Sequence, residues 1–390
     1  MKLTTGTCDS AAVEELLDDP ERAVLHAVQN AMANRRDQIV NPVRDSSPFP
    51  FDSVPEFGQL GLAGLTLQGY GFGGASFLLD GSVHMEIARV DPMLAIRNNT
   101  HSGLAMRSIC HFGSSEQKAR FLSRMFSYAT LGSFAIPERG FAASPRQSPA
   151  LIAELVSDEV WLLNGQARCI GGDMAWDVMI AWAWAPSIHG FRAFIVHNDL
   201  AGIRLTSSAQ HTSPKAAGVV AVTFDNVEIL ESNRLALASR SSDVAAVLTC
   251  SRATGAWIAL GYAHSVYGMA LQRASAEVTA HVDVNDHALA RHLLAVMGEN
   301  ISASTNRCVQ LARLLDKGKA TLRHSTITSM YCARLMRDNV ALGTRVASVL
   351  NRPNSGPRAV DSGRLTLDRE SPDVSALLFG GAVPQSVSSR

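Results

Sequence analysis

Net charge is the first thing this sequence lacks. Its 35 basic and 35 acidic side chains cancel over 390 residues, and no long basic run interrupts the balance. That excludes the electrostatic footprint of a protein that binds nucleic acid or an anionic membrane non-specifically. Paired cysteines are missing as well. Cys8, Cys110, Cys169, Cys250, Cys308 and Cys332 are scattered, with no CxxC spacing. Reduced, mostly buried thiols in a cytoplasmic protein are the expectation. The opening MKLTTGTCDSAAVEELLDD is too acidic and too weakly apolar for a secretory leader. No run of about 18 apolar residues is present, so no transmembrane helix is expected. His264, His281, His287, His292 and His324 show no HxxxH or HxH spacing, so no metal site is expected. The cluster GYGFGG at Gly69–Gly74 neither follows a strand nor opens a helix, which makes it a loop and not a dinucleotide fingerprint.

What is present is a β-rich middle between two helical segments. Residues 20–40 begin with Pro20 and carry Val24, Leu25, Val28 and Met32 at helical spacing. A Pro-rich connector, a short helix over 53–62 and the glycine-dense stretch to Gly74 follow. Two further helices are expected over 75–91 and 99–111, and Ser114 with Gln117 offers a capping box for a helix bearing Phe121, Leu122 and Met125. Residues 132–235 hold strand candidates at 132–136, 150–156, 160–164, 177–184, 191–196, 203–206 and 218–228. Asn164-Gly165 between two β-prone runs predicts a hairpin turn. Trp176, Trp182 and Trp184 read as sheet packing. Short strands with frequent turn residues predict a compact barrel or sandwich. From Asp243 to about Val349 three long apolar-faced helices are expected, the second over His287–Leu315 and the third over Ser325–Val349, joined by short loops as in an antiparallel bundle. The fold class is α+β, in three consecutive parts: a helical N-terminal domain over 18–130, a β domain over 131–240 and a helical bundle over 241–383.

This order, with the stretches FPFDSVPEFGQLGLAGLTLQGYG, HSGLAMRSICHFGSSEQKARFL, LLNGQARCIGGDMAWDVMIAWA, RAFIVHNDLAGI, VTFDNVEIL and SRATGAWIALGYAHSVYGMAL, resembles the acyl-CoA dehydrogenase family, and its glutaryl-CoA dehydrogenase-like branch most. The resemblance implies a small β-barrel domain and a C-terminal four-helix bundle that hold FAD between them. It also implies a glutamate that takes the α-proton of an acyl thioester while the flavin takes the β-hydride. Acyl-CoA or an acyl-carrier-protein thioester would be the partner. The chain would form a homo-oligomer, or a hetero-oligomer with an intact family member.

Position by position, the motifs depart from that family. Pro137-Glu138-Arg139 stands where the family has Thr-Glu-Pro, so a hydroxyl and a backbone N–H donor are lost. Ala142-Ala143-Ser144 replaces Gly-Ser-Asp, and Cys169-Ile170-Gly171 replaces Trp-Ile-Thr. Glu277 stands where a neighbouring subunit's FAD would meet an arginine, and SVLNRPN lacks the glycine pair. The catalytic-base motif falls on Arg369-Glu370-Ser371, which puts Glu370 one residue away from the base position. The alternative base position holds Ser251, before Arg252. If FAD is retained, the cofactor contacts are Ile136, Glu138, Gly140, Ile170 and Gly171. The substrate contacts are Arg252, His101 in the Asn98–Ser102 turn, and Ser144. Glu370, or else Glu138, is the candidate base. Ala95 replaces the carboxylate-binding arginine of the glutaryl enzymes, so a glutaryl substrate is not expected.

Four readings follow. The chain keeps the fold with a degenerate flavin site. It is a FAD-dependent dehydrogenase with an unusual base. It is an accessory subunit. Or it uses Arg252, His101 and Glu370 for redox-free proton transfer on an acyl thioester.

Overall fold

The computed structural model describes residues 12–39, 58–137, 151–171, 175–206, 219–277 and 284–350. It divides into two compact units. One combines the N-terminal segment through Asp45 with Ser76–Ala95 and Arg252–Pro372; the other combines Ser46–Ala75 with Ile96–Ser251 and Asp373–Arg390.

In the first unit, helix α1 (Asp19–Ile39) places Pro20 in its first turn, where a missing N–H costs nothing. Its apolar positions Leu25, Val28 and Met32 are buried. Helix α2 (Phe77–Ala88) is buried nearly all round, and Ser76 caps it by accepting from the Leu79 N–H at 3.0 Å. It starts on two more acceptors: Glu21 Oε1 takes the Ser76 N–H and Asp316 Oδ1 takes the Phe77 N–H. Helix α6 (Ser241–Glu277) contributes its residues from Arg252 onward to this unit, beside α7 (Val284–Asp316) and α8 (Leu322–Leu350). The three helices expected after the barrel are all present. Residues 351–383, which the expected bundle domain also includes, lie outside the described residues.

Glycines set how closely α2 and α6 pack. A Cβ on Gly81 would stand 2.2 Å from Trp257 Nε1, and one on Gly261 would stand 2.3 Å from the Met85 carbonyl oxygen. Of the described helices, α6 alone is apolar and long enough to cross a membrane, but 78% of the relevant window is buried inside the protein. Its apolarity therefore serves the core.

In the second unit, a small hairpin of β1 (Gln68–Gly69) and β2 (Phe72–Gly73) replaces the expected loop; Tyr70 and Gly71 turn it with φ of 52° and 93°. Helix α3 (Pro92–Asn98), which contributes its residues from Ile96 to this unit, runs without a break into a π-helix over Asn99–Met106 and then α4 (Arg107–Phe112). Helix α5 (Ser115–Phe126) opens with the predicted capping box, Ser114 and Gln117 bonded in both directions.

The sheet has seven strands: β3 (Gly132–Pro137), β4 (Leu151–Ser157), β5 (Val160–Ile170), β6 (Val178–Ala185), β7 (Gly190–His197), β8 (Ile203–Thr206) and β9 (Val219–Leu230). Because β3 pairs with both β5 and β6, and β4 joins β6 to β5, the ladder closes on itself as a small barrel. Trp161, Leu163, Ala135, Ala167, Cys169, Met179, Phe194 and Phe224 belong to its core.

The expected hairpin at Asn164-Gly165 is not there. Strand β5 runs straight through it, and the register against β9 shifts between Leu163 and Gly165. Gly165 takes φ of 121°, while Asn164 Oδ1 accepts the Asn226 N–H at 2.8 Å. The positive-φ residue and the side-chain bond that suggested a turn instead make a β-bulge.

Candidate functional site

Two consecutive strand pairs define the sheet end to which the sequence assigned cofactor contacts. Phe134 lies opposite Ile170, and Ile136 opposite Arg168. By strand alternation, Ile136, Arg168 and Ile170 share one face, and all three are half-buried. Ala135, Ala167 and Cys169 point the other way, into the barrel core. Cys169 is fully buried; its Sγ lies 3.1 Å from Ser133 Oγ and 3.9 Å from Met179 Sδ. The residue standing where an indole was expected is therefore a small core side chain. Gly171, directly after β5, adopts φ of 73°, and a Cβ there would meet Thr100 Cγ2 at 3.2 Å. Glu138, Gly140, Ser144 and Glu370 lie outside the described residues.

The hydroxyls around this sheet end are committed. Ser133 Oγ donates to the Ile170 carbonyl at 2.7 Å, and Thr100 Oγ1 donates to the Ile96 carbonyl at 2.9 Å. Pro137 has no N–H, and Gly171 has no side chain. Ile136 and Ile170 present apolar side chains, and Arg168 on the same face carries the side-chain donors. A flavin ring, which needs donors to its carbonyl and ring-nitrogen edge, would find that guanidinium here but not the hydroxyls the resemblance implies.

The π-helix is the hub of this unit. Four consecutive polar side chains, all buried, each serve a different segment. Asn99 Nδ2 donates to the carbonyl and to Oγ of Ser251, both at 3.1 Å. Thr100 packs its methyl toward Gly171. Ser102 Oγ accepts the Gly64 N–H at 2.6 Å. His101 uses both ring nitrogens on backbone: Nδ1 accepts the Gly132 N–H at 2.9 Å, and Nε2 donates to the Met125 carbonyl at 2.9 Å. Those two bonds fix a neutral imidazole protonated on Nε2. Burial pushes the ring's pKa down to about 4, against smaller opposing effects of the Met125 bond and Asp177.

The expectation of a turn at Asn98–Ser102 with His101 facing a ligand is thus corrected. His101 is 1% exposed, inside a π-helical turn, stacked on Tyr128 with ring centroids 4.7 Å apart, and it anchors the start of β3. Its nitrogens are used up. Asn99, Thr100 and Ser133 were missed at the level of sequence. The signal was the unbroken polar run Asn98–Ser102 inside an apolar helical stretch, because buried polar side chains persist only where each is bonded.

Arg252, in the first unit, is mostly buried. Its Nη1 donates to Thr326 Oγ1 at 2.6 Å, and burial lowers its pKa. Among the described residues no carboxylate pairs with it, and its partner is a neutral hydroxyl. A desolvated guanidinium held by one hydroxyl is suited to receive an anionic or strongly polar group. Ser251, the neighbouring position, is held by Asn99 and lacks the carboxylate a proton-abstracting base requires. No group of three or more His, Cys, Asp or Glu side chains that could hold a metal occurs among the described residues.

Residues 18–129 match the acyl-CoA dehydrogenase N-terminal domain. An acyl-CoA dehydrogenase of Bacillus subtilis is 30% identical over 196 residues, covering 48% of this chain and 50% of the relative, so the match spans half of that protein's length. A short/branched chain specific acyl-CoA dehydrogenase of Bos taurus is 24% identical, over 86% of this chain and 78% of the relative. The crystal structure of a glutaryl-CoA dehydrogenase from Mycobacterium smegmatis in complex with FADH2 superposes with a TM-score of 0.79 at 24% identity, over 96% of this chain and 97% of that one. At that identity the likeness establishes the fold.

Proposed function

From the premise that the chain belongs to the acyl-CoA dehydrogenase family, we propose that it works in acyl-thioester metabolism with a degenerate flavin site, as a diverged enzyme or as the accessory subunit of an intact relative. The observation that carries this reading is the sheet end at Ile136–Pro137 and Cys169–Gly171. There the ring, the hydroxyls and one backbone donor are replaced by a core thiol, a glycine and a proline. Each missing neutral hydrogen bond to a cofactor is worth about 0.5–1.5 kcal/mol. Losing several together lowers flavin affinity by orders of magnitude.

In this reading Arg252 is the contact that survives. Its guanidinium would bind the polar head of an acyl thioester, carried by CoA or by a carrier protein; Ser144 is a further contact that the resemblance implies. Glu370, and failing that Glu138, is the carboxylate available for proton transfer. The partner would be a second copy or an intact family member, and the compartment the cytoplasm.

The alternative is a FAD-dependent acyl-CoA or acyl-carrier-protein dehydrogenase that oxidises an acyl thioester across its α and β carbons. In favour of it are the apolar, half-buried side chains of Ile136 and Ile170, which could face a flavin ring. Ile136, Glu138, Gly140, Ile170 and Gly171 would then hold the cofactor, which supplies the hydride acceptor when bound.

The experiment is the flavin-to-protein ratio after gentle purification, followed by anaerobic addition of acyl-CoA thioesters. A colourless protein that binds acyl-CoA, or that co-purifies with a yellow paralogue, supports the proposal. A stoichiometric oxidised-flavin spectrum bleached by an acyl-CoA, and no longer bleached in Glu370→Gln, establishes the alternative.

A further inference from the structure

Cys308 on α7 and Cys332 on α8 face each other across the hairpin of the two helices, with Sγ atoms 3.7 Å apart. Each residue is about 1% exposed. This is thiol against thiol at contact distance, in a protein whose described cysteines form no disulfide. The neighbouring seam is equally unusual for a helix interface. Ser304, Thr305, Ser325 and Ser329 are all buried, and Ser329 Oγ has no hydrogen-bond partner among the described residues. Small side chains leave room for two sulfurs to approach, where a leucine-lined seam would wedge them apart.

We propose that Cys308 and Cys332 are a dithiol pair that a hydroperoxide converts into a covalent tie between α7 and α8. One sulfur, as thiolate, attacks a peroxide oxygen; the O–O bond breaks, water leaves, and a sulfenic acid forms. The second thiol attacks that sulfur and expels another water. The two sulfurs give up two electrons, and the peroxide is reduced to two waters or, from an organic hydroperoxide, to water and an alcohol.

The surroundings set the rate. Burial, and then the neighbouring Cys332 thiol, push the Cys308 thiol well above its ordinary value, so the thiolate is scarce while the hairpin is closed. Reaction therefore waits on local opening of the α7–α8 hairpin, and the pair responds slowly to a sustained oxidant and not to a brief pulse. Once formed, the bond closes a loop whose ends are 24 residues apart in sequence. It restrains the unfolded chain and holds the hairpin shut.

The test uses the full-length protein, treated with hydrogen peroxide and then alkylated in denaturant. Two thiols should disappear together, at least about tenfold more slowly than an exposed thiol reacts. Peptide mapping should join the segments containing Cys308 and Cys332, and a dithiol reductant should restore both. The oxidised protein should melt several degrees higher, and that gain should vanish in Cys308→Ala and in Cys332→Ala. Oxidation that modifies Cys110 or Cys250 while Cys308 and Cys332 are recovered as separate alkylated peptides overturns the proposal. So does a link between any other two cysteines. Both readouts are taken on the wild-type protein, so a variant that fails to fold does not remove the test.

Discussion

The neutral, fully engaged His101 makes a quantitative prediction about acid stability. In the unfolded chain this histidine titrates at its ordinary value of 6.5; in the fold it titrates at about 4. The folded pKa is the lower one, so between these values the unfolded state binds the extra proton. Stability is full above pH 6.5 and falls as pH drops, at about 1.4 kcal/mol per pH unit, levelling off below the folded pKa. At pH 5 this one side chain should have removed about 2 kcal/mol relative to pH 7. The structural cause is plain: a second ring proton on Nδ1 would point at the Gly132 N–H and break that bond.

His101→Gln keeps an acceptor and a donor of similar reach without a titrating group. It should cost under about 1 kcal/mol at pH 7 and should lose about 2 kcal/mol less than wild type between pH 7 and pH 5. His101→Ala should cost ~3 kcal/mol or more at both pH values, since it strands the Gly132 N–H and the Met125 carbonyl and leaves a cavity. Urea unfolding followed by tryptophan fluorescence at the two pH values measures all three proteins. His111 and His264 are also depressed, to about 4 and about 3, which is why the comparison is between proteins and not along one curve. Equal acid losses in wild type and His101→Gln would refute the assignment of His101 as a buried neutral anchor.

Other outcomes follow from particular contacts. Gly81→Ala forces Trp257 or α2 to shift and should cost about 1–3 kcal/mol, seen as a lower denaturation midpoint with changed tryptophan emission. Ser114→Ala removes one half of the capping box of α5 and should cost about 1 kcal/mol, with thermal denaturation as the check. Arg252→Met should be neutral to stability or raise it slightly, because it removes a desolvated charge that, among the described residues, is paired only to a hydroxyl. If Arg252 is the thioester contact, the same variant should abolish the thermal protection given by an acyl-CoA; protection equal to wild type would remove Arg252 from the site.

Much of the fold was legible because hydrophobic period and cap chemistry are local. The amphipathic run of α1, the Ser114–Gln117 box and the starts of all seven barrel strands could be read from neighbours a few residues apart. The long helices α7 and α8 were expected within a few residues of their ends, because their apolar faces repeat over many turns. Strand β5 was cut short for the opposite reason. Asn164-Gly165 satisfies the local rule for a turn, and only pairing with β9, more than fifty residues later, makes it a bulge. The site divides in the same way. The missing hydroxyls and the missing indole could be counted in the sequence, whereas the role of His101 could not.

The sequence by itself determined the order of elements, the family pattern and the identity of the substituted groups, since side-chain chemistry and short-range periodicity are properties of the chain. Tertiary structure alone decided that Cys169 turns into the barrel core, that four successive polar residues form a π-helical hub, that Arg252 meets a threonine and, among the described residues, no carboxylate, and that two distant cysteines touch. Each of those depends on which face of an element is buried and against what. That is set by long-range packing, which no window of neighbouring residues contains.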